Sequence, residues 1–169
     1  MIETVVLGFG SNIGNRLYNI NSAIKVLSLN RDLNLLSLSS VYETEPWGFK
    51  EQRNFLNCAA VFLSRLSPSD LIKLTGKTEK LAGRIKRDKW KAREIDIDVL
   101  FYGNKVINKR SLKVPHPFLH VRNFVLAPLV EIMPGLIHPV LKKTILELNA
   151  ISKDTGLVKA NKKANKAQN

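Results

Sequence analysis

The apolar residues of this chain follow two spacings, and the shorter of them predicts strands. Apolar runs bounded by polar or turn-forming residues are typical of strands, as is one stretch in which apolar residues alternate with acids. A long loop separates the second strand from the third, because Pro46 and Gly48 exclude a regular element over residues 43–50. The four predicted strands cover residues 4–9, 33–42, 55–63 and 93–102.

Apolar residues three or four positions apart predict two helices. The first follows Asn15, whose side chain can cap it. The second begins at Ser67, which supplies a capping hydroxyl ahead of a proline and an acid, and it ends at Gly83. The stretches 124–129 and 132–136 are predicted as further core-packing elements. The core stripe of the first helix consists of Leu17, Ile20, Ile24 and Leu27.

Asp96 and Asp98 share one face of the fourth predicted strand. At the usual rise per residue their Cα atoms lie roughly 6.5 to 7 Å apart. Carboxylates this close repel each other, and either a raised pKa or a bound cation relieves that cost. Such a pair can hold two Mg²⁺ ions against a polyphosphate. A solvated strand face with two ordinary acids explains the strand alone equally well.

Positive charge is concentrated immediately before these acids. Residues 83–93 include Arg84, Arg87 and Arg93 together with several lysines. Cations that bind phosphate oxygens, followed by acids that bind the bridging metals, are the groups that phosphoryl transfer requires. The basic segment therefore favours a phosphoryl-transfer site over a solvated acidic face.

The composition indicates one domain with anionic partners. A chain of 169 residues with 44% hydrophobic residues can bury one sizeable core. Its 27 Lys and Arg residues against 14 Asp and Glu residues give a formal charge of +13, which favours nucleotides or other anions. Part of this excess lies in a Lys-rich C-terminal stretch. We expect a domain over residues 1–155 and a basic, disordered tail over 156–169.

The compartment is predicted from the cysteine content and from the absence of targeting signals. The lone Cys58 lies in an apolar run and cannot form an internal disulfide, so it is most simply a small core residue. No apolar stretch approaches the roughly 18 residues of a membrane span, and no signal sequence opens the chain. We expect a cytoplasmic protein with no membrane partner.

Three further motifs leave structural and functional interpretations open. The glycines of residues 8–15 suggest a phosphate loop, but Ile13 stands where a dinucleotide fingerprint needs glycine, so a turn into the helix is preferred. Phe55 and Asn57 face the same side of a strand and suit a flat heterocycle, although a core Phe beside a strand-end Asn is the structural alternative. The three histidines, His116, His120 and His138, lack the cysteines or the spacing of a zinc site.

The order of motifs along the chain resembles one family over roughly residues 4–140. It is similar to the 6-hydroxymethyl-7,8-dihydropterin pyrophosphokinases of folate biosynthesis. This resemblance implies a single α+β, ferredoxin-like domain with an antiparallel sheet flanked by helices. It also implies transfer of pyrophosphate from ATP to the hydroxymethyl group of the pterin, with release of AMP. The motifs are Gly10-Ser11-Asn12, Tyr42-Glu43-Thr44-Glu45-Pro46, Phe55-Leu56-Asn57, Gly83-Arg84, Trp90-Lys91-Ala92-Arg93, Asp96-Ile97-Asp98, Val114-Pro115-His116 and Arg122-Asn123-Phe124.

The same resemblance implies a role for each candidate site residue. Asp96 and Asp98 would hold two Mg²⁺ ions on ATP, the co-substrate, while Arg84 and Arg93 reach its phosphates. The pterin would lie between the rings of Phe55 and Phe124. The remaining pterin-site residues are Thr44 and Asn57, and the remaining nucleotide-side residues are Glu79, Trp90, His116 and Arg122.

The chain departs in places from the family pattern, one assignment stays open, and one competing class remains. Lys91-Ala92 replaces a Gly-Pro pair that is common in the family, and the choice between Lys86 and Arg87 for a further phosphate contact stays open. A nucleic-acid-binding module would explain the +13 charge and an exposed Phe55. It would not explain two acids inside the basic site. We therefore expect a monomeric enzyme of small-molecule substrates, with no specific nucleic-acid partner.

Overall fold

One antiparallel sheet forms the centre of the molecule. The computed structural model describes residues 1–85, 87, 91–156 and 158–161. Within these residues its strands are β1 (Glu3–Ser11), β2 (Leu33–Leu38), β3 (Tyr42–Thr44), β4 (Phe55–Ser64), β5 (Asp96–Tyr102) and β8 (Val158–Ala160). These six strands follow the order β5-β1-β4-β3-β8, with β2 also paired to β4, and every pair is antiparallel.

The helices pack on both sides of this sheet, and a small hairpin lies outside it. The four α-helices are α1 (Arg16–Ser28), α2 (Pro68–Leu81), α3 (Asn123–Ile132) and α4 (Ile145–Ile151), and a 3-10 turn spans Leu119–Val121. The separate hairpin consists of β6 (Ile107–Lys109) and β7 (Leu112–Val114). The expected α+β class with an antiparallel sheet flanked by helices is confirmed.

Alternation along the strands divides the apolar side chains between two cores. On β1, Val5, Leu7 and Phe9 pack with α1 and α2, whereas Val6 faces the opposite core with α3 and α4. Cys58 is buried in the first core, as its apolar surroundings predict. A sheet covered on both faces places polar side chains at the strand ends, and the cleft described below opens at one of them.

The helix starts follow the local sequence signals. The side chain of Asn15 accepts a hydrogen bond from the Tyr18 N–H at 3.1 Å, and the Ser67 hydroxyl accepts one from the Asp70 N–H at 3.2 Å. Both predicted N-caps are confirmed. The chain leaves α2 through Gly83, whose φ of +84° is a conformation that favours glycine. In α1 the buried residues are Ile20, Ala23, Ile24 and Leu27.

The single strand predicted over residues 33–42 is wrong. β2 ends at Leu38, and the Ser39 N–H bonds the Ala59 carbonyl oxygen at 2.9 Å between the two strands. Tyr42 then begins the separate strand β3, so Thr44 lies in a strand rather than in the predicted loop. The pairing shifts register beyond Leu35, which breaks the continuous ladder that one long strand would need.

Besides the hairpin of β6 and β7 and the 3-10 turn, two elements lie where no regular structure was predicted. The first is α4, whose sequence signal is a capping box formed by Thr144 and Glu147. The second is β8, within the stretch expected to be a disordered tail, and it pairs with β3. No helix in the described part of the chain is long and apolar enough to span a membrane.

Candidate active site

A cleft with a cavity volume of about 250 Å³ opens above β1, β4 and β5 beside the start of α3. Two glycines of β1, Gly8 and Gly10, are among its lining residues. A Cβ atom on Gly10 would lie 2.8 Å from the Asn57 Oδ1 atom, closer than packed atoms allow. The glycine therefore lets Asn57 approach the strand backbone while the cleft stays open. Nine of the predicted site residues line the cleft: Thr44, Phe55, Asn57, Arg93, Asp96, Asp98, His116, Arg122 and Phe124.

Asp96 and Asp98 lie on one face of β5 and both line the cleft, as their spacing predicts. The intervening Ile97 is buried in the apolar core. The Asp96 carboxylate forms ion pairs with two guanidinium groups, those of Arg84 (Nη1 to Oδ1, 2.7 Å) and Arg93 (Nη1 to Oδ2, 2.5 Å). The acids and the basic segment that precedes them are thus brought together.

Glu79, near the end of α2, is part of this network. Its carboxylate pairs with Arg84 and also accepts a hydrogen bond from the Ile97 N–H at 2.8 Å. Burial raises the pKa of Glu79 despite these donors. Glu79 therefore anchors Arg84 beside Asp96, and it links the helix to the strand that carries the acids.

The Asp98 carboxyl is the most strongly perturbed acid of the cleft. Burial and, to a smaller extent, the charge of Asp96 raise its pKa to about 7, against the opposing charges of Arg122 and Arg93. Such an acid gains from a bound cation. The donor set of two carboxylates fits Mg²⁺, which takes oxygen ligands and commonly binds through one or two carboxylates plus substrate phosphates and water. Among the described residues, no cluster of three or more His, Cys, Asp or Glu offers an all-protein metal cage.

The opposite wall holds a buried polar pair suited to a heterocycle. The Asn57 amide donates to the Thr44 hydroxyl oxygen at 2.7 Å, and both side chains are buried. The backbone pairing of β3 with β4 sets Tyr42 opposite Asn57 and Thr44 opposite Phe55. Phe55 from β4 and Phe124 from α3 line the same cleft. The pocket thus offers amide and hydroxyl edges together with aromatic rings.

Arg122 extends between aromatic side chains at the mouth of the cleft. Its guanidinium carbon lies 4.2 Å from the ring centroid of Trp47, 4.9 Å from that of Phe118 and 5.6 Å from that of Phe124. These rings hold the cation by cation–π contacts. The sequence interpretation missed Trp47 and Phe118; the only signal for Trp47 was an aromatic residue within a polar, proline-containing loop.

His116 is a neutral imidazole in this setting. Burial, aided by the charge of Arg122, lowers its pKa to about 4. Its Nδ1 atom accepts a hydrogen bond from the Phe118 N–H at 3.4 Å, so the tautomer that this contact requires carries its proton on Nε2. His116 can therefore donate one hydrogen bond into the cleft without adding a charge.

Asn12 connects the two loops that border the cleft, a role that its glycine-rich surroundings did not reveal. Its amide nitrogen donates to the Gln52 Oε1 atom and to the Arg53 carbonyl oxygen, both at 3.1 Å. Its amide oxygen accepts from the Arg93 N–H at 2.8 Å. The turn that leads into α1 thus fixes the backbone of Arg93, whereas the preferred interpretation of that turn gave it no site role.

Some predictions concern residues near or beyond the described part of the chain. Trp90 and Lys86 lie outside the described residues. Arg87 forms ion pairs with Glu94, the shortest being 2.7 Å from Nη2 to Oε1, and this contact lowers the pKa of Glu94 to about 2. In this structure Arg87 therefore contacts an acid at the base of the segment.

Comparisons with known proteins identify the family of the chain. A family model described as 7,8-dihydro-6-hydroxymethylpterin-pyrophosphokinase matches residues 6–134. The 2-amino-4-hydroxy-6-hydroxymethyldihydropteridine pyrophosphokinase of Aquifex aeolicus is 46% identical over 146 residues, which cover 86% of this chain and 90% of that protein. The protein of the same name from Bacillus subtilis is 38% identical over 132 residues, which cover 78% and 79% respectively.

A solved structure shares the fold. The wild-type HPPK-DHPS of Plasmodium falciparum with pteroate matches with a TM-score of 0.72 at 16% identity, over 89% of this chain and 42% of that chain. This chain thus spans about two fifths of that longer protein. The family match extends from β1 through α3 and includes every candidate site residue. The chain belongs to the 7,8-dihydro-6-hydroxymethylpterin-pyrophosphokinase family, the ATP-dependent pyrophosphokinases of folate biosynthesis.

Proposed function

We propose that the cleft transfers pyrophosphate from ATP to 6-hydroxymethyl-7,8-dihydropterin. The hydroxymethyl oxygen attacks the β-phosphorus, a new P–O bond forms, and the bond between that phosphorus and the oxygen bridging to the α-phosphate breaks. AMP leaves with the bond electrons, and the hydroxyl proton is released. Family membership supports this reaction, and the contacts within the cleft support the assignment of roles to individual residues.

The carboxylates of Asp96 and Asp98 would hold Mg²⁺. Both face the cleft from one strand, and the raised pKa of Asp98 indicates that a cation there is favourable. When bound, the metal neutralises phosphate charge and aligns the triphosphate. Two ions are the expected number, because two carboxylates on one face can share a pair of metals between them.

Arg84 and Arg93 would bind the phosphate oxygens once the nucleotide is in place. Both guanidinium groups already lie at the carboxylate that would carry the metal. A short side-chain movement therefore brings them onto phosphates held by that metal. Fixed positive charge beside a developing phosphoryl transition state lowers its energy without reorganisation of solvent. Glu79 positions Arg84, while Trp90, His116 and Arg122 complete the nucleotide side.

The pterin would enter the apolar half of the cleft. Stacking between Phe55 and Phe124 and edge hydrogen bonds to Asn57 and Thr44 match the flat, polar-edged shape of the ring. Orienting the hydroxymethyl group toward the metal side supplies proximity, which accounts for a large share of catalysis between two bound reactants. All of these groups come from one chain, and we propose a cytoplasmic monomer as the working form.

The observation that carries this proposal is that Asp96, ion-paired to two arginines, and the neighbouring Asp98 line the same cleft as an amide–hydroxyl pair. Incubation with MgATP and 6-hydroxymethyl-7,8-dihydropterin should release AMP in an amount equal to the pterin pyrophosphate formed. ADP release in place of AMP, or no turnover by well-folded protein, would contradict it.

A further inference from the structure

The C-terminal residues return to the cleft and contact both of its pterin-side walls. We name residues 154–161 the C-terminal strap; the structure describes 154–156 and 158–161. The strap lies beyond residue 134, where the family match ends. Its contacts are therefore features of this chain that the family assignment leaves unexplained.

The first contact of the strap is at the start of α3. The N-cap position of this helix is Arg122, and its side chain makes no capping hydrogen bond. Instead, the Asp154 carboxylate accepts a hydrogen bond from the backbone N–H of Asn123 at 2.8 Å. The backbone carbonyl oxygen of Asp154 accepts a second one from the side-chain amide of Asn123 at 2.5 Å. A carboxylate at this position satisfies an otherwise unpaired N–H and complements the helix dipole. It fixes the turn of α3 that carries Phe124.

The second contact of the strap is along the outer edge of β3. The pairing sets Val158 opposite Thr44 and Ala160 opposite Tyr42, and the Asn161 N–H bonds the Val41 carbonyl oxygen at 2.8 Å. β3 has only three residues, and its other edge pairs with β4. Without β8 it would be a short edge strand with unpaired backbone groups, which frays readily.

The first contact lies at the cleft end of α3, and the second runs along the whole of β3, including Thr44 at its cleft end. A separate link joins the far ends, because Glu131 near the end of α3 accepts hydrogen bonds from the Tyr42 hydroxyl at 2.8 Å and from the Ser40 N–H at 3.0 Å. Glu131 thus ties α3 to the beginning of β3. The strap pairs with β3 along its whole length and bonds the first residue of α3, so it also holds the ends of these elements where Phe124 and Thr44 line the cleft.

We propose that the C-terminal strap is a positioning element for the pterin pocket, with Asp154 as its principal side chain. It sets the distance between the aromatic wall on α3 and the Thr44–Asn57 pair beside β3. Within the described part of the chain, Asp154 forms no hydrogen bond or ion pair with Asp96, Arg84 or Arg93, so we expect the strap to leave the binding of metal and phosphates nearly unchanged. The inference rests on the proposed function only in naming the pterin as the ligand of this half of the cleft.

Four proteins test the proposal: the full chain, Asp154→Ala, Asp154→Asn and a chain ending at Lys153. Binding of 6-hydroxymethyl-7,8-dihydropterin is measured by calorimetry with a nonhydrolysable MgATP analogue present, and binding of that analogue is measured alone. Asp154→Ala should weaken pterin binding by up to about fivefold, because the free energy of one helix cap, about 1 kcal/mol, limits what restoring the order of the pocket can cost. Asp154→Asn retains an acceptor oxygen and should recover most of that affinity. The shortened chain should lose more pterin affinity, and the affinity for the analogue should stay within about twofold in all four.

Matched controls separate positioning from general destabilisation. Lys153→Ala changes the exposed neighbouring side chain, and a chain ending at Asn161 removes only residues beyond the strap; both should bind pterin as the full chain does. In steady-state assays, KM for the pterin should rise in Asp154→Ala while kcat changes little. Unchanged pterin affinity in folded Asp154→Ala, or equal loss of affinity for both ligands, would overturn the proposal. If the full chain binds pterin but releases no AMP, the proposed reaction is contradicted. The pterin affinities of the full chain and Asp154→Ala then still test the role of the strap.

Discussion

Arg84, which follows α2, and Asp96, the first residue of β5, form an ion pair of 2.7 Å. The arginine that we expect to bind phosphate thus contacts the carboxylate that we expect to bind metal. Replacing the acid therefore removes two interactions at once. Asp96→Asn and Asp98→Asn should each fold normally but turn over much more slowly. Without a metal to neutralise the phosphates, the transition state loses several kcal/mol of stabilisation. AMP release under saturating substrates measures the loss.

The matched control for these acids is Asp32→Asn, which changes a carboxylate outside the cleft and should keep full turnover. Near-normal AMP release by either β5 variant would show that the pair does not carry the metal.

The amide–hydroxyl pair of the cleft predicts a selective loss of pterin affinity. Asn57→Ala removes a buried hydrogen-bonding group and leaves the Thr44 hydroxyl without its 2.7 Å donor. It should cost about 1 to 3 kcal/mol in pterin binding and leave nucleotide binding nearly unchanged. Titration calorimetry with each ligand measures both. Asn34→Ala, an exposed asparagine on β2, serves as the control.

Salt dependence separates the enzyme from a nucleic-acid module. The formal charge of +13 should give weak nonspecific binding to RNA that falls steeply with ionic strength. Ending the chain at Asn161 removes several lysines and should remove most of that binding while AMP production continues. Tight RNA binding that survives this truncation in a protein without turnover would favour the competing class.

His138 predicts an acid-sensitive component of stability. The side chain is 5% exposed, and its Nδ1 atom accepts hydrogen bonds from the Val140 N–H at 3.3 Å and the Leu141 N–H at 3.1 Å. Burial lowers its pKa, and the ring of His120, 6.4 Å away, disfavours a second positive charge. In the unfolded chain His138 therefore binds a proton near pH 6.5, whereas in the folded chain it stays neutral at that pH.

This contribution to stability is complete above about pH 6.5 and declines as the pH falls from there toward the lowered folded pKa. Urea unfolding between pH 5 and 8 measures it. His138→Asn keeps an acceptor for the turn and should flatten the decline over this range. An unchanged pH profile in that variant would show that another group is responsible.

The parts of the structure that sequence reasoning predicted depend on local signals. Burial of Ile97 between two cleft-facing acids follows from the alternation of a strand, and the cap at Ser67 follows from a backbone N–H three residues away. The division of residues 33–42 into two strands depends on distant groups. Glu131 bonds the Ser40 N–H from 91 positions away, and no spacing within the strand reveals that contact.

The site residues that sequence reasoning missed have the same explanation. Asn12 meets Arg93 across 81 positions and Asp154 meets Asn123 across 31, and each is an ordinary polar residue in its local context. Composition and periodicity predict which backbone conformation a segment adopts. They do not specify which distant side chain satisfies a given N–H group, because that choice depends on how the layers pack.

In the proposed site, the ion pairs between Asp96 and the two arginines make the binding of Mg²⁺ and the binding of ATP depend on each other. Free Mg²⁺ would have to displace Arg84 and Arg93 from Asp96 and leave them without anions. Free ATP would attract both arginines and leave Asp96 and Asp98 uncompensated beside each other. Only the chelate supplies an anion for each cation and a cation for each acid in one exchange of partners. The free energy of binding the two components together should therefore be more favourable than the sum of their separate binding free energies, and the proposed site should select the chelated nucleotide.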